Sequence, residues 1–392
     1  MKFPTWPNYE TDELEAVNGV LKSGLVNYWT GNLSKKFERE FADFTGCKYA
    51  IALANGSLAL SCAYLAIGIK KGDEIITTPR SFIATASSAS LLGGKVVFAD
   101  VDINSGNITS ESIEPLITKK TKAIVIVHLA GWPAEIIKIS NLARVYNIAL
   151  IEDCSQAHGA EVMIDGKNLS IGQFGDISTW SFCQDKIIST GGEGGMITTN
   201  NKEYFENIWS FKDHGKSFSR LQEKNLSLEY RFIHDNLGSN FRITEMQSAI
   251  GRIQLNKLNS WREIRTKNAS IISEILKNNN LVRVPLPHEG LIHAWYKFNC
   301  FININNLKDD WDREKIIKTI RSLGLPAFQG SCSELYLEKC FSNNSENNYK
   351  VLPITKELGL TNLTFLLHPT INEKEMIFYA ENINTVLKSA IK

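Results

Sequence analysis

The sequence has few of the features that mark secreted, membrane-spanning or metal-binding proteins. Its seven cysteines are an odd number, are scattered, and form no Cys-x-x-Cys pair, so neither a disulfide framework nor a zinc ribbon is expected. No segment approaches the roughly 18 consecutive apolar residues of a membrane span. Residues 1–7 lack the apolar run of a signal peptide. We therefore expect reduced thiols, a cytoplasmic location and no bound metal.

Excess charge of one sign is also missing. Lys plus Arg is 43 and Asp plus Glu is 42, a net charge of +1, which supplies no electrostatic footprint for nucleic acid or an anionic membrane. The glycine-dense segment 190–195 is not G-x-G-x-x-G, and no P-loop pattern occurs, so the usual nucleotide fingerprints are absent. What is present is a chain of 392 residues, 43% hydrophobic and 22% charged, long enough for two globular domains.

Short apolar runs alternate with helical segments between residues 48 and 200. The predicted strands are Ala50–Ala54, Glu74–Thr78, Lys95–Ala99, Ala123–Leu129, Ile148–Glu152, Ile177–Phe182 and Met196–Thr199. Several of these runs are almost continuously apolar, which indicates strands covered on both faces, as in a mostly parallel α/β sheet. Helices are predicted between them, for example over Ser57–Ile69. The sequence therefore predicts the α/β class for this region.

The pattern changes after about residue 241. Two long amphipathic helices (Thr244–Leu258 and Trp261–Lys277), a strand (Trp295–Ile304), a further helix (Trp311–Leu323) and an Asn/Ser-rich loop (Phe341–Asn348) are predicted. This mixture favours a smaller α+β domain. The expected organisation is an N-terminal segment over 1–47 that packs with the small domain, a large α/β domain over 48–240, and the small domain over 241–392.

Two residues at the ends of predicted strands suggest a specific chemistry. Asp153 follows the apolar strand Ile148–Glu152, and Lys186 stands between Ile177–Phe182 and the glycine-dense segment. Ligands of open α/β sheets lie outside the carboxyl ends of strands. An amine that forms a Schiff base, and a carboxylate that keeps a pyridine nitrogen protonated, are what pyridoxal phosphate (PLP) requires. Taken singly, a lysine on a loop is usually a solvated surface charge, and a strand-end turn or helix cap explains Asp153 as well as function does.

A phosphate site and a ring contact complete the pattern. Gly56 and Ser57 open a predicted helix, whose free backbone N–H groups bind anions, and Ser181 adds a hydroxyl before Lys186. Phe82, after the strand Glu74–Thr78, can lay its ring on a cofactor face. An ordinary helix cap and a core phenylalanine are the plainer interpretations.

Seven segments in order resemble the DegT/StrS family, the fold-type-I PLP aminotransferases that act on nucleotide-linked keto-sugars. The segments are residues 37–42, 54–60, 98–102, 127–133, 152–160, 181–195 and 237–242, and the resemblance extends to about residue 255. It implies a fold-type-I α/β architecture, with a mostly parallel central sheet flanked by helices and a smaller α+β C-terminal domain. It also implies an enzyme with PLP as its cofactor.

The resemblance implies a role for each matching residue. Lys186 would be the Schiff-base lysine, Asp153 the partner of the pyridine nitrogen, Gln156 and Phe82 the contacts on the ring faces, Gly56, Ser57 and Ser181 the phosphate ligands, and Asn240 a phosphate ligand for the neighbouring subunit. The active form would then be a homodimer with shared sites. A branch of the family has His at the lysine position and removes a hydroxyl, so Lys186 favours transamination.

The expected reaction is transfer of an amino group from glutamate to a nucleotide-linked 4-keto-6-deoxyhexose, for O-antigen or related polysaccharide biosynthesis. Amination at C3 and a PLP-dependent sugar dehydratase remain alternatives. A PLP-binding regulator without turnover lacks the basic helix-turn-helix it would need. Candidate substrate residues are Tyr28, Trp29, Tyr336 and His368. Residues 326–336 and 368–370 depart from the family pattern near the sugar, which leaves the sugar open.

Overall fold

The computed structural model describes residues 3–221, 233–342 and 349–392. The helices of eight or more residues are α1 (Thr11–Ser23), α2 (Leu33–Thr45), α3 (Gly56–Ala66), α4 (Ala84–Leu91), α6 (Ile136–Tyr146), α7 (Lys202–Lys212), α9 (Glu245–Leu276), α10 (Arg313–Ser322), α12 (Pro353–Thr361) and α13 (Glu373–Ser389); the four-residue helices are α5 (Ser110–Ile113), α8 (Phe218–Leu221) and α11 (Lys339–Ser342). The strands are β1 (Tyr49–Leu53), β2 (Glu74–Thr77), β3 (Lys95–Phe98), β4 (Thr121–Val127), β5 (Ala149–Asp153), β6 (Glu161–Ile164), β7 (Lys167–Ser170), β8 (Ile177–Ser181), β9 (Gly195–Thr199), β10 (Val282–Arg283), β11 (Leu291–Ile292), β12 (Phe298–Ile302) and β13 (Asn362–Phe365).

A seven-stranded sheet in the order β1-β9-β8-β5-β4-β2-β3 forms the centre of the molecule. Its members are the seven strands predicted from the apolar runs, with ends that differ by no more than two residues. Only β9 runs against its neighbours, β1 and β8, and the other four adjacent pairs are parallel. The predicted mostly parallel α/β sheet is therefore confirmed.

Alternate residues of the strands enter separate cores on the two faces of this sheet. Ile75 and Val125 pack with residues of α3 and α4, whereas Ile76 and Ile124 pack on the opposite face with residues of α6. Each such side chain is fully buried, which stabilises the fold by about 1.5–3 kcal/mol per residue. Cover on both faces explains why the strands read as continuous apolar runs.

The C-terminal part contains the antiparallel sheet β10-β12-β13, packed with α9, α10 and α13 around a third core. The prediction of two helices between residues 244 and 277 is wrong, because α9 is one helix of 32 residues. Asn259 and Ser260, read as a break, lie on its exposed face, where the Ser260 hydroxyl donates to the Lys257 carbonyl at 2.7 Å. In the predicted loop Phe341–Asn348, residues 341–342 belong to α11 and residues 343–348 lie outside the described residues.

The N-terminal segment touches both parts of the molecule. Helices α1 and α2 pack on α9, α2 also packs on β1, and Phe3 packs against the C-terminal core. The division at residues 47 and 240 stays a prediction. Within the described ranges, no helix combines the length and the apolar character that crossing a bilayer requires.

Glu245, in the first turn of α9, also caps the N-terminus of helix α2. Its buried carboxylate accepts hydrogen bonds from the backbone N–H groups of Leu33 (2.5 Å) and Ser34 (2.9 Å) in the first turn of α2. The N-cap residue of α2, Asn32, makes no side-chain capping bond. A Cβ on Gly31 would lie 2.2 Å from Glu245 Oε2, so glycine is needed for this approach. One carboxylate thus ties α2 to α9.

We expect Glu245→Gln to lower the free energy of unfolding by about 1–2 kcal/mol, because a neutral amide oxygen is a weaker acceptor at a helix N-terminus. Urea denaturation followed by circular dichroism measures the change. Glu263→Gln, at an exposed position of the same helix, is the control and should change the midpoint little. Equal effects of the two substitutions would contradict the capping role.

Candidate active site

The carboxyl ends of β1, β2, β4, β5 and β8 meet at one edge of the central sheet. In the paired registers, Asp153 at the end of β5 lies beside Val127 of β4 and Thr179 of β8. The segments that follow these strand ends contain the predicted site residues Gly56, Ser57, Phe82, Asp153, Gln156, Ser181 and Lys186. The topology therefore brings these predicted residues to the same side of the sheet.

Asp153 is a buried carboxylate with a fixed orientation. Only 4% of the residue is exposed. Its Oδ2 accepts a hydrogen bond from the Thr85 hydroxyl at 2.8 Å, and its Oδ1 accepts from the Ser155 backbone N–H at 3.2 Å. The Thr85 hydroxyl also lies 3.1 Å from that of Ser81. A carboxylate held in this way is suited to accept a hydrogen bond from a protonated ring nitrogen.

Gly56 brings the start of α3 against Ser181. A Cβ at residue 56 would lie 2.7 Å from the Ser181 Cβ, so only glycine permits this approach. The Asn55 side chain caps the helix by accepting from the Leu58 N–H at 2.9 Å. The first N–H groups of α3 and the hydroxyls of Ser57 and Ser181 thereby share one corner of the sheet edge. Such a cradle has the chemistry to bind a phosphate.

Lys186 is held by residues that are distant in the sequence. Its Nζ lies 3.5 Å from Asp185 Oδ1 and 3.4 Å from the Tyr296 hydroxyl, and that hydroxyl donates a hydrogen bond to Asp185 Oδ2. The Trp6 indole N–H donates to the Lys186 carbonyl at 2.8 Å. Burial and the neighbouring Asp185 raise the pKa of Tyr296, so its hydroxyl stays protonated. Sequence reasoning missed Tyr296 and Trp6.

Phe82 and Gln156 differ in exposure. Phe82 is 66% exposed, unusual for so large an apolar ring, so its interpretation as a core residue is wrong. Gln156 is buried, and its Oε1 accepts from the Ala130 backbone N–H at 2.8 Å. The Phe82 ring is therefore available to a ligand, while the Gln156 side chain is fixed in place.

His158 is a further residue that the sequence did not single out. Its ring packs against Trp180 and Phe182, with centroids 5.4 and 5.6 Å away. Burial, with Lys186 and Arg265 nearby, lowers its pKa to about 3. Neither ring nitrogen has a hydrogen-bond partner among the described residues. His158 is thus a neutral ring that adds no positive charge beside Lys186.

The structure separates the four candidate substrate residues. The Tyr28 hydroxyl donates to Glu38 at 3.1 Å beneath Lys212, and the partly exposed Trp29 donates from its indole N–H to Asp213 at 2.8 Å. Asp213 in turn pairs with Asn240 in a β-bridge. Trp29 and Asn240 therefore lie in one neighbourhood, around Asp213.

Tyr336 and His368, the other two candidate substrate residues, lie in different surroundings. The Tyr336 ring is buried against Phe98 and Tyr349, because the chain after Ser333 folds back onto the core of the large sheet. His368 instead lines a cavity of about 240 Å³ together with Tyr296. Of the two, only His368 lies near Lys186.

Two groups of metal-binding side-chain types come together among the described residues, although no metal was expected. One is the acidic group Glu10, Asp12 and Glu13, whose carboxylates all accept hydrogen bonds from Lys257 Nζ. The other is buried. The ligand atoms of His128, Glu152 and Cys154 lie within 4.8 Å of one another. Both His128 nitrogens already have partners, Glu152 Oε2 at 3.1 Å and the Ala134 N–H at 3.0 Å. Glu152 also accepts from the N–H groups of Gly172 and Gly175. We interpret this group as a buried hydrogen-bond network.

The residues at the sheet edge fit PLP. The Gly56 cradle, which a Cβ would fill, suits its phosphate; the buried Asp153 carboxylate suits its ring nitrogen; and Lys186 supplies the amine. PLP needs hydrogen-bond donors for its phosphate, an acceptor for its protonated ring nitrogen and an amine for its aldehyde, and one edge of the sheet provides all three.

Comparison with known proteins identifies the family. The chain is 32% identical to GDP-perosamine synthase of Escherichia coli O157:H7 over 381 residues, 96% of each chain. It is 31% identical to dTDP-3-amino-3,6-dideoxy-alpha-D-galactopyranose transaminase of Aneurinibacillus thermoaerophilus, over 96% of this chain and 95% of that protein. The crystal structure of an aminotransferase from Psychrobacter cryohalolentis superposes with a TM-score of 0.95 at 45% identity and covers 99% of both chains.

These comparisons confirm the expected fold-type-I architecture, the aminotransferase class and the PLP cofactor. The model of the DegT/DnrJ/EryC1/StrS aminotransferase family matches residues 7–382, nearly the whole chain. The chain therefore belongs to this family of PLP-dependent sugar aminotransferases.

Proposed function

We propose that this enzyme transfers an amino group from glutamate to a nucleotide-linked 4-keto-6-deoxyhexose and so makes an amino sugar for O-antigen or a related surface polysaccharide. The observation that carries the proposal is the placement of Lys186, whose amine is held beside Asp185 and Tyr296 at the same sheet edge as Asp153. The similarity to GDP-perosamine synthase along 96% of the chain supports a nucleotide-linked sugar as the acceptor.

In this proposal each residue has a defined task. When bound, PLP draws electrons away from the Cα–H bond of the donor amino acid, which makes that proton removable. Lys186 anchors the cofactor and then carries the Cα proton, with Asp185 and Tyr296 holding its Nζ. Asp153 keeps the proton on the ring nitrogen.

The remaining contacts orient the cofactor. Gly56, Ser57 and Ser181 would hold its phosphate, and the exposed Phe82 ring and the Gln156 side chain would contact its two faces. Since these groups come from four different strand ends, the sheet itself fixes their spacing.

Two alternatives within the family differ in the reaction or its position. A dehydratase of the kind that has His in place of the anchoring lysine is disfavoured by Lys186. Amination at C3 is the second candidate, and the transaminase relative, whose name specifies a 3-amino sugar, supports it at 31% identity. We place C4 first from the sequence resemblance.

We also propose a homodimer in which Asn240 contributes to the neighbouring site. Asn240 is exposed. Its backbone pairs with Asp213 in a β-bridge, and its Oδ1 accepts a hydrogen bond from the Arg242 backbone N–H at 3.3 Å. An exposed amide beside Trp29 and Arg242 is suited to reach a phosphate on a second copy.

Asp153→Asn should slow the half-reaction with glutamate by about 100-fold, equivalent to ~3 kcal/mol of barrier, because the amide no longer favours a protonated ring nitrogen. Single-turnover absorbance of the PLP-loaded protein measures the rate. Asp165→Asn, in the turn between β6 and β7, is the control and should react at the rate of the parent. A rate for Asp153→Asn within about threefold of the parent would remove Asp153 from this role.

The acceptor is tested by comparing dTDP-, UDP- and GDP-linked 4-keto-6-deoxyhexoses with pyruvate and oxaloacetate. We expect at least one nucleotide sugar to have a specificity constant about 100-fold above either keto acid, because remote nucleotide binding orients the ketone. NMR of the product distinguishes amination at C4 from amination at C3. Faster amination of the keto acids would place the enzyme in amino-acid metabolism and overturn the proposal.

A further inference from the structure

Arg80 is a buried cation in the loop between β2 and α4, and only 1% of the residue is exposed. Its Nη1 donates a hydrogen bond to the Ser333 hydroxyl at 3.3 Å, whereas its Nε has no hydrogen-bond partner among the described residues. No carboxylate in residues 3–221, 233–342 and 349–392 forms an ion pair with it. An unpaired buried charge is costly unless an anion joins it.

The charge that lies nearest to Arg80 in its effect is a second cation. Burial, with the Arg313 guanidinium nearby, lowers the pKa of Arg80 to about 10, so the side chain stays protonated at neutral pH. Arg313 has one long contact with a carboxylate, 3.9 Å from its Nη2 to Oε1 of the partly exposed Glu314. The interior around Arg80 therefore has more positive than negative charge.

A cavity of about 20 Å³ lies against the Arg80 side chain. Gly106 borders the same cavity, and a Cβ on this glycine would lie 3.6 Å from Arg80 Nε, so the unpartnered N–H is at the cavity wall. None of the described residues that line the cavity has a carboxylate. The volume holds one water-sized particle, which excludes carboxylic acids, phosphates and sugars.

The amide and imidazole side chains that line this cavity are left with hydrogen-bond donors. The Oδ1 atoms of Asn104 and Asn299 each accept a hydrogen bond from a neighbouring side chain, which leaves their NH2 groups as donors. His293 Nδ1 accepts from the Trp295 backbone N–H at 2.7 Å, and burial lowers the pKa of His293 to about 3. The neutral imidazole therefore has its proton on Nε2. These groups favour an anion over a cation in the cavity.

Lys297 also borders the cavity, but its ammonium group belongs to the surroundings of Lys186. Its Nζ lies 4.6 Å from the centre of the Tyr296 ring. Burial lowers its pKa to about 8; Asp185 opposes this shift, while Arg265 and Lys186 add to it. Arg80 is therefore the cation that defines the small cavity, which is separate from the residues assigned to PLP.

We propose that this cavity binds a single halide ion, chloride in the cell, with the Arg80 guanidinium as its cationic partner. The ion supplies the negative charge that the lining residues lack, and its size matches the cavity. Arg80 and Gly106 follow strands of the central sheet, whereas Asn299 belongs to β12 of the C-terminal sheet. Bound chloride therefore joins the two sheets, directly beside the loop that contains Phe82. The inference does not depend on which sugar the enzyme aminates.

Bromide replaces chloride and scatters X-rays anomalously, so crystals of the PLP-loaded full chain grown in sodium bromide test the site directly. We expect an anomalous peak within hydrogen-bonding reach of Arg80 Nε in the parent. The peak should be lost in Arg80→Met, which has an unbranched side chain of similar length without the charge. A parent structure with water at this position, or with bromide only on the protein surface, would overturn the proposal.

Thermal unfolding in solution tests whether the ion stabilises the fold. At equal ionic strength, the midpoint of the parent should be at least about 2 °C higher in sodium chloride than in sodium gluconate, whose anion is too large for the cavity, because an ion that binds only the folded state stabilises it. Arg80→Met should lose this difference. Arg39→Met, at an exposed position on α2, is the matched control and should keep it. Equal midpoints of the parent in the two salts, or an unchanged difference in Arg80→Met, would contradict the site.

Discussion

The burial of one carboxylate at the end of a central strand is the constraint on which the site depends. Asp153 closes β5, the fourth of seven strands in the sheet, so its position is fixed by neighbours on both sides. A buried carboxylate is costly unless hydrogen-bond donors surround it. Thr85 and Ser155 provide two donors, and a protonated ring nitrogen would provide a third. The fold thus places a buried carboxylate, which a positive charge would stabilise, where the protonated ring nitrogen of PLP would lie.

A cluster of positively charged side chains lies near Lys186. Arg265, Lys297 and Lys186 are gathered around a single carboxylate, Asp185. Arg265 belongs to the long helix α9, and Lys297 directly precedes β12. Trp6, in the N-terminal segment, places its ring against the Arg265 guanidinium. Elements from separate parts of the molecule therefore meet close to Lys186. Glu245, which ties α2 to α9, helps to hold these parts together.

The sequence predicted correctly those features that depend on neighbouring residues in the chain, such as the strands of the central sheet. Both faces of the sheet are covered, so each strand is an apolar run, and the residues after strand ends could be expected at one edge. Asp153, Gly56, Ser181 and Lys186 were predicted to meet in this way, and the structure brings them to that edge. A break in α9 was predicted wrongly because Asn259 and Ser260 are poor helix formers, yet on an exposed helix face they are tolerated.

The residues that were missed act through contacts distant in the sequence. Tyr296 is 110 residues from Lys186, and Trp6 is 180 residues from it, so no spacing reveals either. Tyr336 illustrates the opposite case. It was a candidate substrate residue because it lies in segment 326–336, which departs from the family pattern, but its ring packs in the core against Phe98.

The central claim is that Lys186 is the amine that anchors PLP, and borohydride reduction of the PLP-loaded protein tests it most directly. Reduction fixes the cofactor to the lysine that holds it, and peptide mass spectrometry then locates the label. We predict one label per chain, on the peptide that contains Lys186, and none after Lys186→Ala. A label on Lys297, the neighbouring lysine whose pKa burial lowers to about 8, or on the buried Lys212, would contradict the account.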